Sequence, residues 1–458
     1  MYLRRAIGYG AFWLSAVLIV SLLAPPAARA QIGGMAGVVV DAQGVLHKRV
    51  FDDPGGQLMR QRIAAARAAL DPKATKFSAM RKISLNRLEQ AIRDANGAVT
   101  DEMQYLAGLQ RVKYVFLYPD SGDVVIAGPA EGWTTDLSGR VVGITNGRPV
   151  VQLQDLVVAL RAFPPQGKGT RLIGCSIDPT QQGLAAMQQF LRSIGSRATP
   201  ADTQYITSGL QTSLGLQKVS INGVSPKTHF AHVLVEADYR MKLIGIGLER
   251  PPMNVKLVSY VERANPAQVS RSAMQRWFFM PDYQCVRVSE DALAMQLVGD
   301  GVKLVGENEV VTAGGQREAS ALTNRASQAF VDGFTKKYSE LAERSPVYAE
   351  LRNVIDVAVA AAFIQQQDYY GKAGWKMSLL GDERSFAVET LTAPETVATA
   401  VNAIWKGRRL MTPVGGGVTI QPARALDSDN LLADENEKVA KARAETKIEL
   451  AEGQWWWD

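Results

Sequence analysis

Cysteine and histidine are scarce, with two and three residues among 458. Two thiols exclude a disulfide scaffold, a four-cysteine zinc site and a cysteine-ligated iron–sulfur cluster. Three imidazoles leave little material for a His-rich metal or acid–base centre. The phosphate-binding loop, the G-x-G-x-x-G fingerprint and the G-x-S-x-G elbow are all missing. Charge of one sign is scarce as well: 51 Lys plus Arg stand against 45 Asp plus Glu. No dense basic stripe is interleaved with aromatics, so nucleic acid is not the expected partner. Apolar residues are plentiful. At 47% hydrophobic and 21% charged, wholesale disorder is excluded, and the length suffices for two or three domains.

Long apolar runs are confined to the start. Arg4 and Arg5 precede Ala11 to Ala24 (AFWLSAVLIVSLLA), followed by Pro25, Pro26 and Ala28-Arg29-Ala30. A basic start, a short apolar run and a small-residue site form a secretory signal peptide, with cleavage expected before Gln31. The run is short for a membrane span, and no cysteine lies beside the site to carry a lipid. Nothing later reads as a transmembrane helix. The expected product is exported, periplasmic or extracellular, with no transmembrane span after signal removal. Removing the leader takes away three arginines and no acid, which lowers the net charge from +6 to +3.

The pattern of the remainder is α+β: mixed small sheets with amphipathic helices. A hairpin is expected over Gly37 to Phe51, and helices over Gln57 to Leu70 and from the Ser84 cap to Ala95. Strands Tyr114–Tyr118 and Asp123–Ala127 flank Pro119-Asp120-Ser121-Gly122. Val141–Thr145 and Pro149–Leu153 flank Asn146-Gly147, a strong hairpin signal. Helices over Leu153–Ala162, Thr180–Ser193, Pro200–Leu214 and His229–Ile244 follow, with strands over Thr170–Ile177 and Lys218–Val224. Arg276 to Val305 reads as β, and a helical pair runs from Thr323 to Ala342 and from Pro346 to Gln367. Asn430 to Glu452 reads as a charged, exposed helix. These divide the chain into 1–30 (signal), 31–100 (hairpin and helices), 101–200 (α/β block), 201–320 (mixed α/β), 321–370 (helical pair) and 371–458 (charged helix and Trp-rich tail).

Four constellations could carry chemistry. Cys175 ends a strand in Ile173-Gly174-Cys175-Ser176-Ile177-Asp178-Pro179, just before a helix whose dipole could lower a thiol pKa. It could be a nucleophile with His229 or His232 as base, an inert buried thiol, or half of a disulfide with Cys285. His229, His232 and Glu236 spell H-x-x-H-x-x-x-E, which on a helix puts all three on one face where a metal could bind. The Glu is not between the histidines as a zinc protease requires. Gly128 to Ile177 has the element order of the second half of a PDZ domain, which would accept a peptide as an added strand. Trp455, Trp456 and Trp457 cannot all pack on one face of their own helix. They are candidate binding residues, for a groove on this chain or for a partner or membrane interface. The carboxylate pairs Glu307/Glu309 and Asp427/Asp429 read as solvated loops, and no cofactor motif is present.

The phrases YVFLYPDSGDVVIAGPAEGW, GRPVVQLQDLVVALR, CSIDPTQQGL and HFAHVLVEADYRMKLIGIGLE resemble exported planctomycete-type proteins carrying the domain of unknown function numbered fifteen ninety-eight. The resemblance spans roughly 100 to 370 and implies export with no assigned activity and no catalytic residues to carry over. The combined expectation is a non-catalytic protein-binding or assembly module whose partner is a protein or envelope component. The alternative is a thiol- or metal-dependent hydrolase using Cys175 or His229, His232 and Glu236.

Overall fold

The apolar alternation of Ala273–Pro281 buries Trp277 and Phe279 on one side of an extended strand, and a sheet forms around them. In the computed structural model this strand pairs antiparallel with Val302–Val311 and parallel with Gly416–Ile420. The structure describes residues 35–41, 44–195, 199–252, 254–265, 273–311, 316–319, 324–391, 393–402, 404–406, 409–411, 416–445, 448 and 450–458. The expected signal peptide and its cleavage site lie outside them.

Two large mixed sheets and a set of buried helices make the α+β architecture. The nine-stranded sheet takes strands from across the chain: the hairpin Met35–Val40/Val45–Phe51, Thr396–Ala398, Leu216–Asn222, Ile173–Asp178, Gly416–Ile420, Ala273–Pro281, Val302–Val311 and Arg317–Ala319. Gly417 permits the close approach of its central pair. A Cβ there would lie 2.4 Å from the Cys175 carbonyl oxygen. The seven-stranded sheet runs Leu431–Ala433, Val286–Val288, Ala294–Leu297, Tyr114–Tyr118, Asp123–Ala130, β1 (Ser78–Ser84) and β2 (Trp456–Trp457). Three helices lie between and against these layers: α1 (Leu153–Ala162), α2 (His229–Gly245) and α3 (Pro346–Gln366). Helix α2 lies on Ile173–Asp178 and Gly416–Ile420, and α3 packs on α1 and α2. One apolar cluster runs through both sheets and all three helices.

The strongest sequence signals survive with small shifts. The hairpin, the Ser84-capped helix (Leu85–Asp94), α1, α2 and α3 form where expected, and Pro346 occupies the first turn of α3. Three expectations are corrected. The PDZ-type unit does not close, because its strands go to separate sheets: Asp123–Ala130 to the seven-stranded, Ile173–Asp178 to the nine-stranded, and Val141–Gly143 to a small pair with Trp133–Thr135. The Asn146-Gly147 turn is not a regular hairpin. Only Val142 bridges Pro149, and the turn folds over the Glu131 carboxylate, which accepts from the Thr145 and Asn146 amides at 3.1 Å. The expected helix over Asn430–Glu452 is reduced to Lys438–Ala444, while Leu431–Ala433 joins the sheet in parallel with Val286–Val288. Asp434 ends that strand by accepting from the Val439 and Ala440 amides.

Gly417→Ala is expected to lower stability by about 2 kcal/mol, because a methyl must be forced against a central-strand carbonyl. Thermal or urea unfolding of the variant checks this; an unchanged midpoint would contradict the close packing.

Candidate functional site

Helix α2 is buried over almost its whole length, including Glu236, Asp238, Arg240 and Lys242. Charges survive there only when paired, because desolvating a lone ion costs several kcal/mol. Arg140 meets this need from the turn after Trp133–Thr135. Its guanidinium reaches Glu236 on α2 through Nη2 and donates from Nε to Glu350 on α3 at 2.8 Å. Arg240 adds a 3.5 Å pair to Glu236 and donates to Glu249 at 2.7 Å. Burial opposes ionisation of Glu236, yet the two guanidinium groups hold its carboxyl below the ordinary value. Burial instead raises Glu350.

The expected face of His229, His232 and Glu236 therefore exists, but a guanidinium stands where the metal reading put an ion. His229 turns its Nδ1 to Asp155 of α1 at 2.9 Å. Burial acts to lower its pKa, but the Asp155 carboxylate outweighs this and raises it to about 9. His232 goes the other way, to about 4, chiefly because it is buried. Its Nδ1 has no hydrogen-bond partner among the described residues. Among the described residues, no group of three or more His, Cys, Asp or Glu side chains is placed to hold a metal. Asn353 of α3 lines a cavity of about 10 Å³ with Asp155, His229 and Glu350, which is room for one water molecule.

Cys175 and Cys285 are both free, buried thiols, so of the readings open for them the structure shows the inert thiol and not the disulfide. They stand on different sheets. Cys175 faces Val418 and Ile221 inside the nine-stranded sheet, whereas Cys285 precedes Val286–Val288 of the seven-stranded one. Burial raises the Cys175 thiol well above its ordinary value, with Asp238 adding to the effect. Burial pushes Cys285 up to about 12. The helix after Cys175 starts at Gln181, with Thr180 as its cap.

The tryptophan segment docks on this chain, as an extended strand and not as part of a helix. Trp456 and Trp457 form an extended edge strand, β2, antiparallel to β1 with Trp456 opposite Ile83 and Trp457 opposite Lys82. Successive strand residues point to opposite faces, which solves the packing of adjacent indoles. Trp456 joins the core side of the sheet near Trp133, while Trp457 packs on the other face with Phe116 and Ala127. Trp455 is buried, and its carbonyl accepts from Ser84 N at 2.9 Å.

A fully buried arginine anchors the segment. Arg81 donates to the carbonyls of Lys73, Ala74, Lys76 and Ala107 at 2.6–3.1 Å. It then meets Asp458 with a two-point contact, Nε–Oδ1 2.8 Å and Nη2–Oδ2 3.2 Å. Trp456 lies over the same guanidinium at 4.5 Å, and its indole N–H donates to Glu102. Burial acts against the Asp458 carboxylate, but hydrogen bonds from Arg81 and Ser78 bring its pKa below the ordinary value. Bidentate Arg–carboxylate contacts are both strong and directional. Nothing in the sequence marked Arg81, Arg140, Asp155 or Glu350 for these roles. A readable hint lay on α3, where Glu350, Asn353 and Asp356 recur every third residue, with Arg352 among them, ahead of the wholly apolar run Val357–Ile364.

His229 favours its protonated form when folded. Its contribution, at most about 3 kcal/mol, is complete below pH 6.5 and is lost as pH rises through 9. In His229→Gln, the decline of Tm between pH 6.5 and 9 is expected to flatten. Acid-side changes from His232 and Asp238 remain common to both proteins. Thermal unfolding across pH checks this; equal slopes in the two proteins would contradict the ion pair. Native protein is expected to leave both cysteines unreacted with an aromatic disulfide reagent, and to release two thiols once unfolded without reductant.

Among curated proteins and among solved structures, no match was found. Residues 175–260, which carry Cys175, all of α2 and its two histidines, match the family model described as Protein of unknown function (DUF1598), a narrower stretch than the resemblance over 100–370.

Proposed function

We propose that the protein is an exported, non-catalytic protein-binding or assembly module of the cell envelope, and that it recognises its partner by strand addition at the edge of β1, in exchange for its own Trp455–Asp458 segment. The observation that carries this reading is the seat of Trp455–Asp458 on β1: backbone pairing, two indoles on opposite faces and one carboxylate on a buried arginine. Strand addition of this kind combines main-chain hydrogen bonds for affinity with side-chain pockets for specificity. The leader-like start, Arg4 to Ala30, supports export. Among the described residues, no helix is long and apolar enough to cross a membrane.

The hydrolase reading loses support from the same geometry. Both thiols are buried with raised pKa values, and a thiolate is the nucleophilic form. Glu236 is engaged by Arg140 and Arg240.

A chain ending at Gln454 should bind the synthetic peptide Glu452–Asp458 saturably in fluorescence anisotropy. The same peptide with Asp458→Asn should bind about tenfold more weakly, since a charge-assisted hydrogen bond is worth roughly 1.5–3 kcal/mol. Circular dichroism confirms that the shortened chain is folded. A folded shortened chain that binds neither peptide would overturn the reading.

A further inference from the structure

The β1 edge recognises one sequence that the structure shows in full: Trp455-Trp456-Trp457-Asp458. We infer that a second copy of this chain can supply that segment, so that two copies exchange their β2 strands across a two-fold axis. The inference rests on the strand-addition reading and names its partner.

Three observations converge on exchange. The first is the completeness of the seat. Arg81 is buried and held by four backbone carbonyls independently of the incoming carboxylate, so the site is built before it is filled. Any contact made within one chain is available unchanged between two, which makes exchange of an identical element a low-cost route to a dimer. The second is the contrast between the segment and what precedes it. Residues Ala451 to Gln454 are all exposed, while Trp455 directly after them is buried. The turn they form is held by Gln454 N donating to Ala451 O at 3.1 Å and Ala451 N donating to Gln454 Oε1 at 3.3 Å. Opening it exposes no core, so it can act as a hinge. The third is Gly453, which holds φ near +78° with open space around the position of a Cβ. The folded-back path thus requires a left-handed residue at one point, and an opened hinge does not.

The hinge glycine supplies a test that leaves the seat intact. A β-branched residue in the left-handed region costs roughly 1–2 kcal/mol, so Gly453→Val should favour the opened chain by about fivefold or more. Light scattering after size-exclusion chromatography, over a concentration series of the full chain, reads the result. The wild-type chain should show a concentration-dependent dimer, Gly453→Val a larger dimer fraction, and the chain ending at Gln454 only monomer. A dimer that persists in the shortened chain would place the interface elsewhere and overturn the inference. So would a monomeric Gly453→Val chain with wild-type circular dichroism. If the free peptide still binds the shortened chain in that case, exchange alone fails and strand addition stands. If the peptide does not bind either, both fail.

Discussion

Arg140 joins the two most deeply buried helices through one guanidinium. Glu236 on α2 and Glu350 on α3 would repel each other in a low-dielectric interior, and neither could remain ionised alone. The guanidinium between them converts a repulsion into a tie, and its planar fork serves both carboxylates at once. Around this tie the remaining polar groups take their places. Arg240 completes the partners of Glu236, and His229 turns outward to Asp155 of α1. Because α2 lies on the nine-stranded sheet and α3 on α1, the pair also sets the relation between the sheet and the helical layer. An ion network of this kind adds less stability than apolar residues of equal volume would. It does impose one relative placement of α2 and α3, since sliding either helix by a turn would strand a carboxylate.

The parts of this architecture that were legible in the sequence are those with local causes. Ser84 caps a helix because its hydroxyl meets an amide three residues on, and Pro346 begins one because its missing N–H is not needed there. Apolar spacing located α1, α2 and α3. The errors came where a distant segment decided the outcome. Asn146-Gly147 has hairpin chemistry, but a buried Glu131 carboxylate draws the turn around itself. Leu431–Ala433 lies in a stretch of helical composition, yet the open edge at Val286–Val288 claims it as a strand.

The candidate residues divide along the same line. H-x-x-H-x-x-x-E placed three groups on one face of α2, as local periodicity requires. What fills the space beside them is an arginine about a hundred residues earlier, and spacing carries no information about it. The two cysteines invited pairing because the chain reads as exported, whereas the fold puts them in separate sheets and dry surroundings. The three tryptophans posed a packing problem only for a helix. A strand alternates its side chains, and the answer depended on a partner edge far away in the sequence.

That distance has a consequence for how the molecule is made. Arg81 and Asp458 are 377 residues apart, so the outer edge of the seven-stranded sheet stays uncovered until the segment carrying Trp455 to Asp458 has been made. Contacts of such long separation form slowly, and an open edge is a template for unwanted pairing in the meantime. A nascent chain of this design is best kept from pairing along β1 until the segment carrying Trp455 to Asp458 has emerged.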